Sequence, residues 1–168
     1  MKRIITIFLA LFIGLSMSAQ IQTKILGFTL GTTNKSTVLN QYKTKIKKAS
    51  YAEDTYDLQN VEFAGYKWDL VSFAFHKGKL YAVYFTMSSS HTPVSIIDLS
   101  WNSLKNSLYN KYSRYYSNRS TSNTIEYSDR KTEVILMKKT YQGKGFLSLT
   151  YRDKYMYQQI VNARDIEL

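Results

Sequence analysis

The sequence contains no cysteine, one proline and two histidines among its 168 residues. Without cysteine there is no disulfide framework, no thiolate zinc site, no Cys nucleophile and no N-terminal Cys to carry a lipid, so the fold rests on its core alone. With only His76 and His91 there is no His-Glu-x-x-His metal motif, and neither a Gly-x-Ser-x-Gly elbow nor a phosphate-cradling glycine loop occurs. His91 follows three serines, but it lies in a connector that offers no third orienting group. Asp69, Glu126, Glu133 and Asp153 fall near strand ends, yet nothing in their spacing favours a two-carboxylate glycosidase site. The inventory predicts a protein that is not an enzyme and carries no cofactor and no metal.

Acidic residues are also scarce, 12 Asp and Glu against 23 Lys and Arg, for a formal charge of +11. Long apolar runs are missing with one exception, residues 4–15 (IITIFLALFIGL), which follow Lys2 and Arg3 and precede the small residues Ser16, Ser18 and Ala19. This pattern predicts a signal peptide over residues 1–19, cleaved after Ala19, and hence a periplasmic or secreted protein. The run is shorter than the roughly 20 residues a spanning helix needs. Residues 20–168 then form one domain at charge +9, large enough to bury about 70 % of its unfolded surface.

What the sequence does have is strand signal. The stretch WDLVSFAFHKGKLYAVYF, residues 68–85, reads as a β-hairpin turning at Lys77-Gly78. Extending strict alternation from a Phe75–Leu80 pair puts Val71, Phe73, Phe75, Leu80, Ala82 and Tyr84 on one face, and Leu70, Ala74, Tyr81, Val83 and Phe85 on the other. Before the hairpin come a strand over 25–31, a helix with the stripe Val38, Leu39, Tyr42 and Ile46, a lysine-rich helix end at Lys43, Lys45, Lys47 and Lys48, and a polar loop over 51–60 with Glu53, Asp54 and Asp57. Residues 61–66 then lead into the hairpin as a third strand. Residues 88–93 form a connector. After it Ile97, Trp101, Leu104, Leu108 and Tyr112 mark an amphipathic helix. A polar loop over 113–123, strands over 124–127, 133–139 and 145–152, and a short helix over 157–163 complete the chain. The prediction is an α+β fold: an antiparallel sheet of about six strands, two main helices on one face, and a tandem helix–three-strand repeat over about 25–88 and 94–155.

Two binding surfaces follow. The solvent face of the sheet with its Tyr-rich loops would serve an unknown protein partner. Alternatively Arg114, Tyr115, Tyr116 and Arg119, with Tyr141 and Lys144 and with Lys138 or Lys139 from the last hairpin, would form a basic aromatic patch for an anionic envelope component. Nucleic acid is the less expected partner.

Residues 27–38 (GFTLGTTNKSTV) resemble the glycine, helix start and valine that open SmpA/OmlA-type envelope domains, and Trp68 with residues 79–85 (KLYAVYF) matches the Trp-initiated strand and hairpin of that plan. Two such units in tandem resemble the β-lactamase-inhibitor-protein fold, and that resemblance implies an inhibitor-like or envelope-associated protein-interaction module. Ala19-Gln20 is similar to the signal-peptide ends of small exported proteins of Bacteroides-type bacteria. The lipid-bearing Cys and the Gly-x-Pro after the first helix are missing here, so the envelope family's assembly role does not carry over.

Overall fold

Four tight turns set the architecture. Leu26-Gly27, Ala64-Gly65, Lys77-Gly78 and Gln142-Gly143 all place two consecutive residues at positive φ. That is the conformation of a two-residue hairpin turn whose twist matches that of its strands, and glycine at the second position removes half the steric cost. The computed structural model of the chain describes residues 20–166; the predicted signal peptide lies outside them.

The first turn joins β1 (Lys24–Ile25) to β2 (Phe28–Thr29) in a small ribbon, where an unbroken strand over 25–31 was expected. After α1 (Lys35–Tyr42) comes one sheet of seven antiparallel strands: β3 (Lys47–Lys48), β4 (Thr55–Phe63), β5 (Tyr66–His76), β6 (Lys79–Ser88), then, beyond α2 (Val94–Tyr112), β7 (Thr124–Ser128), β8 (Thr132–Tyr141) and β9 (Lys144–Asp153). The spatial order is β3-β4-β5-β6-β9-β8-β7. Each half is thus a helix followed by a meander, and the halves join where their last strands, β6 and β9, pair through Phe85↔Leu149. The chain ends in α3 (Lys154–Ile166), longer than expected, whose first turn is capped by Asp153 Oδ1 accepting from the Met156 amide at 2.9 Å.

The core lies between the sheet and α1 and α2. The predicted stripe Ile97, Trp101, Leu104, Leu108 and Tyr112 is buried throughout, against a sheet layer that includes Val71, Phe73, Val83, Phe85, Leu136, Leu149 and Tyr151. α1 contributes Val38 and Tyr42, whose ring packs on Phe28 and Phe73 at 5.9 and 5.6 Å between centroids. The N-terminal segment ties the halves together: the Ile21 amide donates to Asp129 Oδ2 at 2.8 Å and the Gln22 amide to the Tyr112 hydroxyl at 3.4 Å.

Three expectations are corrected. A β-bulge between Ala74 and Phe75 leaves Tyr81 unmatched in β6, so that Phe75 pairs Leu80 but Ala74 pairs Ala82 and Phe73 pairs Val83. The extra residue reverses the facing beyond it. Val83 and Phe85 therefore join Val71 and Phe73 in the core, while Ala82 and Tyr84 join Ser72 and Ala74 on the opposite face. The polar loop over 51–60 is mostly strand, because β4 pairs with β5 from Thr55↔Ala74 onward. Only half of the lysine run is at a helix end: α1 stops at Tyr42 and Lys43–Lys45 add one 3-10 turn, with Lys43 at φ 45°, whereas Lys47 and Lys48 form the short edge strand opposite Asp57 and Tyr56. Lysine there protects the edge from pairing with a second chain.

Gly31 provides a local test. Its φ is +77°, and a Cβ built there would stand 2.6 Å from Asp153 Oδ2. Gly31→Ala is expected to lower stability by about 2 kcal/mol, from left-handed strain together with displacement of the α3 cap. A shift in the urea midpoint, compared with the unhindered Gly65→Ala, checks it.

Candidate binding site on the uncovered face of the sheet

The face of the sheet turned away from α1 and α2 is built from alternate residues of every long strand. One cross-strand row reads Asp57, Ser72, Tyr84, Thr150, Ile135 and Glu126; the next reads Gln59, Leu70, Thr86, Ser148, Met137 and Thr124. Small side chains at Ser72, Ala74, Ser148 and Thr150 leave a hollow among the larger Leu70, Tyr81, Tyr84, Met137 and Phe146. With the 51–55 segment as a wall the hollow becomes a cavity of about 510 Å³, within the range of about 300–1,000 Å³ typical of ligand pockets.

The wall is held by a closed set of hydrogen bonds. Asp57 Oδ1 accepts from the Tyr51 hydroxyl at 2.8 Å and from the Ser72 hydroxyl at 2.7 Å, and the two hydroxyls lie 2.9 Å apart. Tyr51 is thereby fixed over the hollow although the residue is 65 % exposed. Burial of the Tyr84 hydroxyl, with Tyr81 beside it, pushes its pKa well above the ordinary tyrosine range, so Tyr84 stays neutral. No Lys, Arg, Asp or Glu lines the cavity.

At one end of the face α3 covers the sheet. The Arg152 guanidinium lies 3.5 Å from the centroid of the Tyr157 ring, and Ile160 sits beside Tyr81 and His76. Arg152 Nε donates to Glu133 Oε2 at 2.6 Å; Arg119 Nη2 donates to Glu133 Oε1 at 2.8 Å and also to Glu126 Oε1. Glu126 and Glu133, noted in the sequence as carboxylates near strand ends, do converge. An arginine bridges them, so they form an ion-pair network rather than an open acid–base pair. Among the described residues no group of three or more His, Asp or Glu is placed to hold a metal ion.

The basic aromatic patch read from the sequence divides. Arg114 and Tyr115 form the turn Ser113–Tyr115 after the C-terminal end of α2, with the guanidinium 5.0 Å from the Tyr115 ring centroid. Tyr116 packs edge-on against Tyr127 at 5.9 Å. Arg119 is committed to Glu126 and Glu133. Tyr141 and Lys144 are backbone partners at the β8–β9 turn, and adjacent Gly145 lies against Val94 and Ile97 at the other end of α2. That helix has 19 residues, so the two groups stand apart by a length of about 28 Å. Lys138 is on the helix side, paired with Asp98 at 3.0 Å. Sequence reasoning missed the cavity. Its visible signal was the alternation of Leu147, Leu149 and Tyr151 with Ser148 and Thr150, which marks a small, polar second face.

Comparison with family models, curated proteins and solved structures returns no match. Among the described residues no helix is long and apolar enough to cross a membrane.

Proposed function

We propose that the protein is an exported, non-catalytic binding module that takes its partner on the uncovered face of the sheet, not on its basic loops. The observation that carries this reading is the uncharged cavity of about 510 Å³ opening on that face. Two further features support it. The wall residue Tyr51 is held in place before any ligand arrives, which lowers the ordering cost of binding. Two cations of the alternative anionic-ligand patch, Arg119 and Lys138, are already paired with acids of the fold. Export rests on the predicted signal peptide.

The test is capture from an envelope extract at low and high salt, with wild type and with Thr86→Phe, which fills the cavity. Retention by wild type at high salt and loss in Thr86→Phe is the expected result. Capture that vanishes at moderate salt and is the same in both proteins would replace this reading with an anionic-polymer binder.

A further inference from the structure

We infer that the cavity on the uncovered face is a small-molecule site for a neutral, largely apolar compound with one hydrogen-bonding edge. This rests on the reading of that face as the binding surface and goes on to name what binds there.

The lining gives the chemistry. Leu70, Ala74, Met137 and Phe146, with the rings of Tyr51, Tyr81 and Tyr84, make the walls and much of the floor apolar. An ionised ligand would give up its hydration with no opposite charge in the wall to compensate, at a cost of several kcal/mol. Two charged groups of the same face are engaged elsewhere. Asp57 Oδ1 accepts from the Tyr51 and Ser72 hydroxyls, and Arg152 is held by Glu133 and stacked on Tyr157. The polar component of the floor is a set of hydroxyls. Thr86 and Ser148 are direct cross-strand neighbours and Thr150 lies one step along the same face of β9. Together they offer both donors and acceptors in one cluster, suited to a hydroxyl, carbonyl or ether edge. The volume lies in the range of small-molecule sites, and the cluster of hydroxyls at the base rewards a ligand with a polar edge that reaches the floor.

A matched pair of fluorescent probes tests this on the full mature chain: N-phenyl-1-naphthylamine, which is neutral, and 8-anilino-1-naphthalenesulfonate, the same ring frame with an added negative charge. The neutral probe is expected to bind at least ten times more tightly than the sulfonate, and Thr86→Phe to weaken it at least tenfold while circular dichroism and the urea midpoint stay near wild type. Tyr51→Ala, on the exposed wall, should weaken it in the same direction and guards against misfolding of the first variant. An organic-solvent extract of envelope should displace the probe, whereas the protein fraction should not. Equal or tighter binding of the sulfonate, still lost in Thr86→Phe, overturns the neutral class but leaves the binding face standing. Displacement by the protein fraction alone overturns the small-molecule assignment in favour of a partner's side chain. Probe binding that is absent, or indifferent to both variants, overturns the site and the reading beneath it.

Discussion

Trp68→Ala is expected to remove about 3–5 kcal/mol of stability, a large share of the roughly 5–15 kcal/mol available to a domain of this size. Trp68 is fully buried, and its indole N–H donates to the Phe63 carbonyl at 3.1 Å. Its ring packs on Phe85 at 5.4 Å; Phe85 stacks on Phe63 at 4.3 Å and meets Tyr151 edge-on at 6.4 Å. These rings run across β4, β5, β6 and β9, so they couple the first half of the chain to the second at the one strand pair joining the two meanders. Truncation strips the Phe85 ring of its Trp68 neighbour and leaves the Phe63 carbonyl without the indole donor. Trp68→Phe separates the two losses: the aromatic packing is mostly kept, and the missing hydrogen bond should account for about 1–2 kcal/mol. Urea unfolding followed by far-ultraviolet circular dichroism checks both variants. An alanine variant within about 1 kcal/mol of wild type would mean that the two meanders are joined by other contacts.

The central hairpin was legible because a turn of two positive-φ residues needs glycine, and Lys77-Gly78 sits between two strand-forming runs. α2 was legible because its five core residues recur at helical spacing and nothing interrupts them. The bulge at Tyr81 was not, for a physical reason. Both faces of β5 and β6 carry apolar residues, so inverting the facing of Ala82, Val83, Tyr84 and Phe85 leaves the hydrophobic pattern equally plausible. Only the pairing with β9 decides between them, and that contact is distant in sequence. β4 was hidden by the same face that forms the site: Thr55, Asp57 and Gln59 point away from the core and read as a polar loop. The basic aromatic patch does not assemble because a loop arginine shows its charge in sequence but not its partners. The acids that bind Arg119 come from β7 and β8, 7 and 14 residues further along. The cavity itself lay beyond sequence reasoning, since its depth depends on small residues from two strands, β5 and β9, that lie on either side of β6.

Glu133→Ala is expected to cost on the order of 3–5 kcal/mol, because it leaves the Arg152 guanidinium buried without a counter-charge. Glu133 is 3 % exposed, and the Arg152 side chain 13 %. Arg119, with a side chain 58 % exposed, adds little to that loss. Burial by itself would push the Glu133 carboxyl up, but the hydrogen bonds and charges of Arg152 and Arg119 outweigh it and hold the group below the usual glutamate range. A carboxyl depressed on folding stabilises the protein fully above its unfolded value of about 4.3, and that contribution disappears as the pH falls through the lower folded value. The stability gap between wild type and Glu133→Gln should therefore be widest near neutrality and close as the pH drops from about 5 toward 3; a gap that stays constant would show that Glu133 is not held as a carboxylate. The same substitution should reach α3, since the Arg152 guanidinium that Glu133 fixes is the surface on which the Tyr157 ring rests. Amides of residues 156–161 should exchange faster in Glu133→Gln while those of β5 and β6 keep their protection relative to global stability. Replacing both partners, Glu133→Leu with Arg152→Met, should recover much of the global stability by removing the unpaired charge. It should leave α3 loosened, because the cation that Tyr157 stacks on is gone. Stability restored without α3 protection would then assign the ion pair two separable roles: satisfying a buried charge, and fastening the helix that closes one end of the binding face.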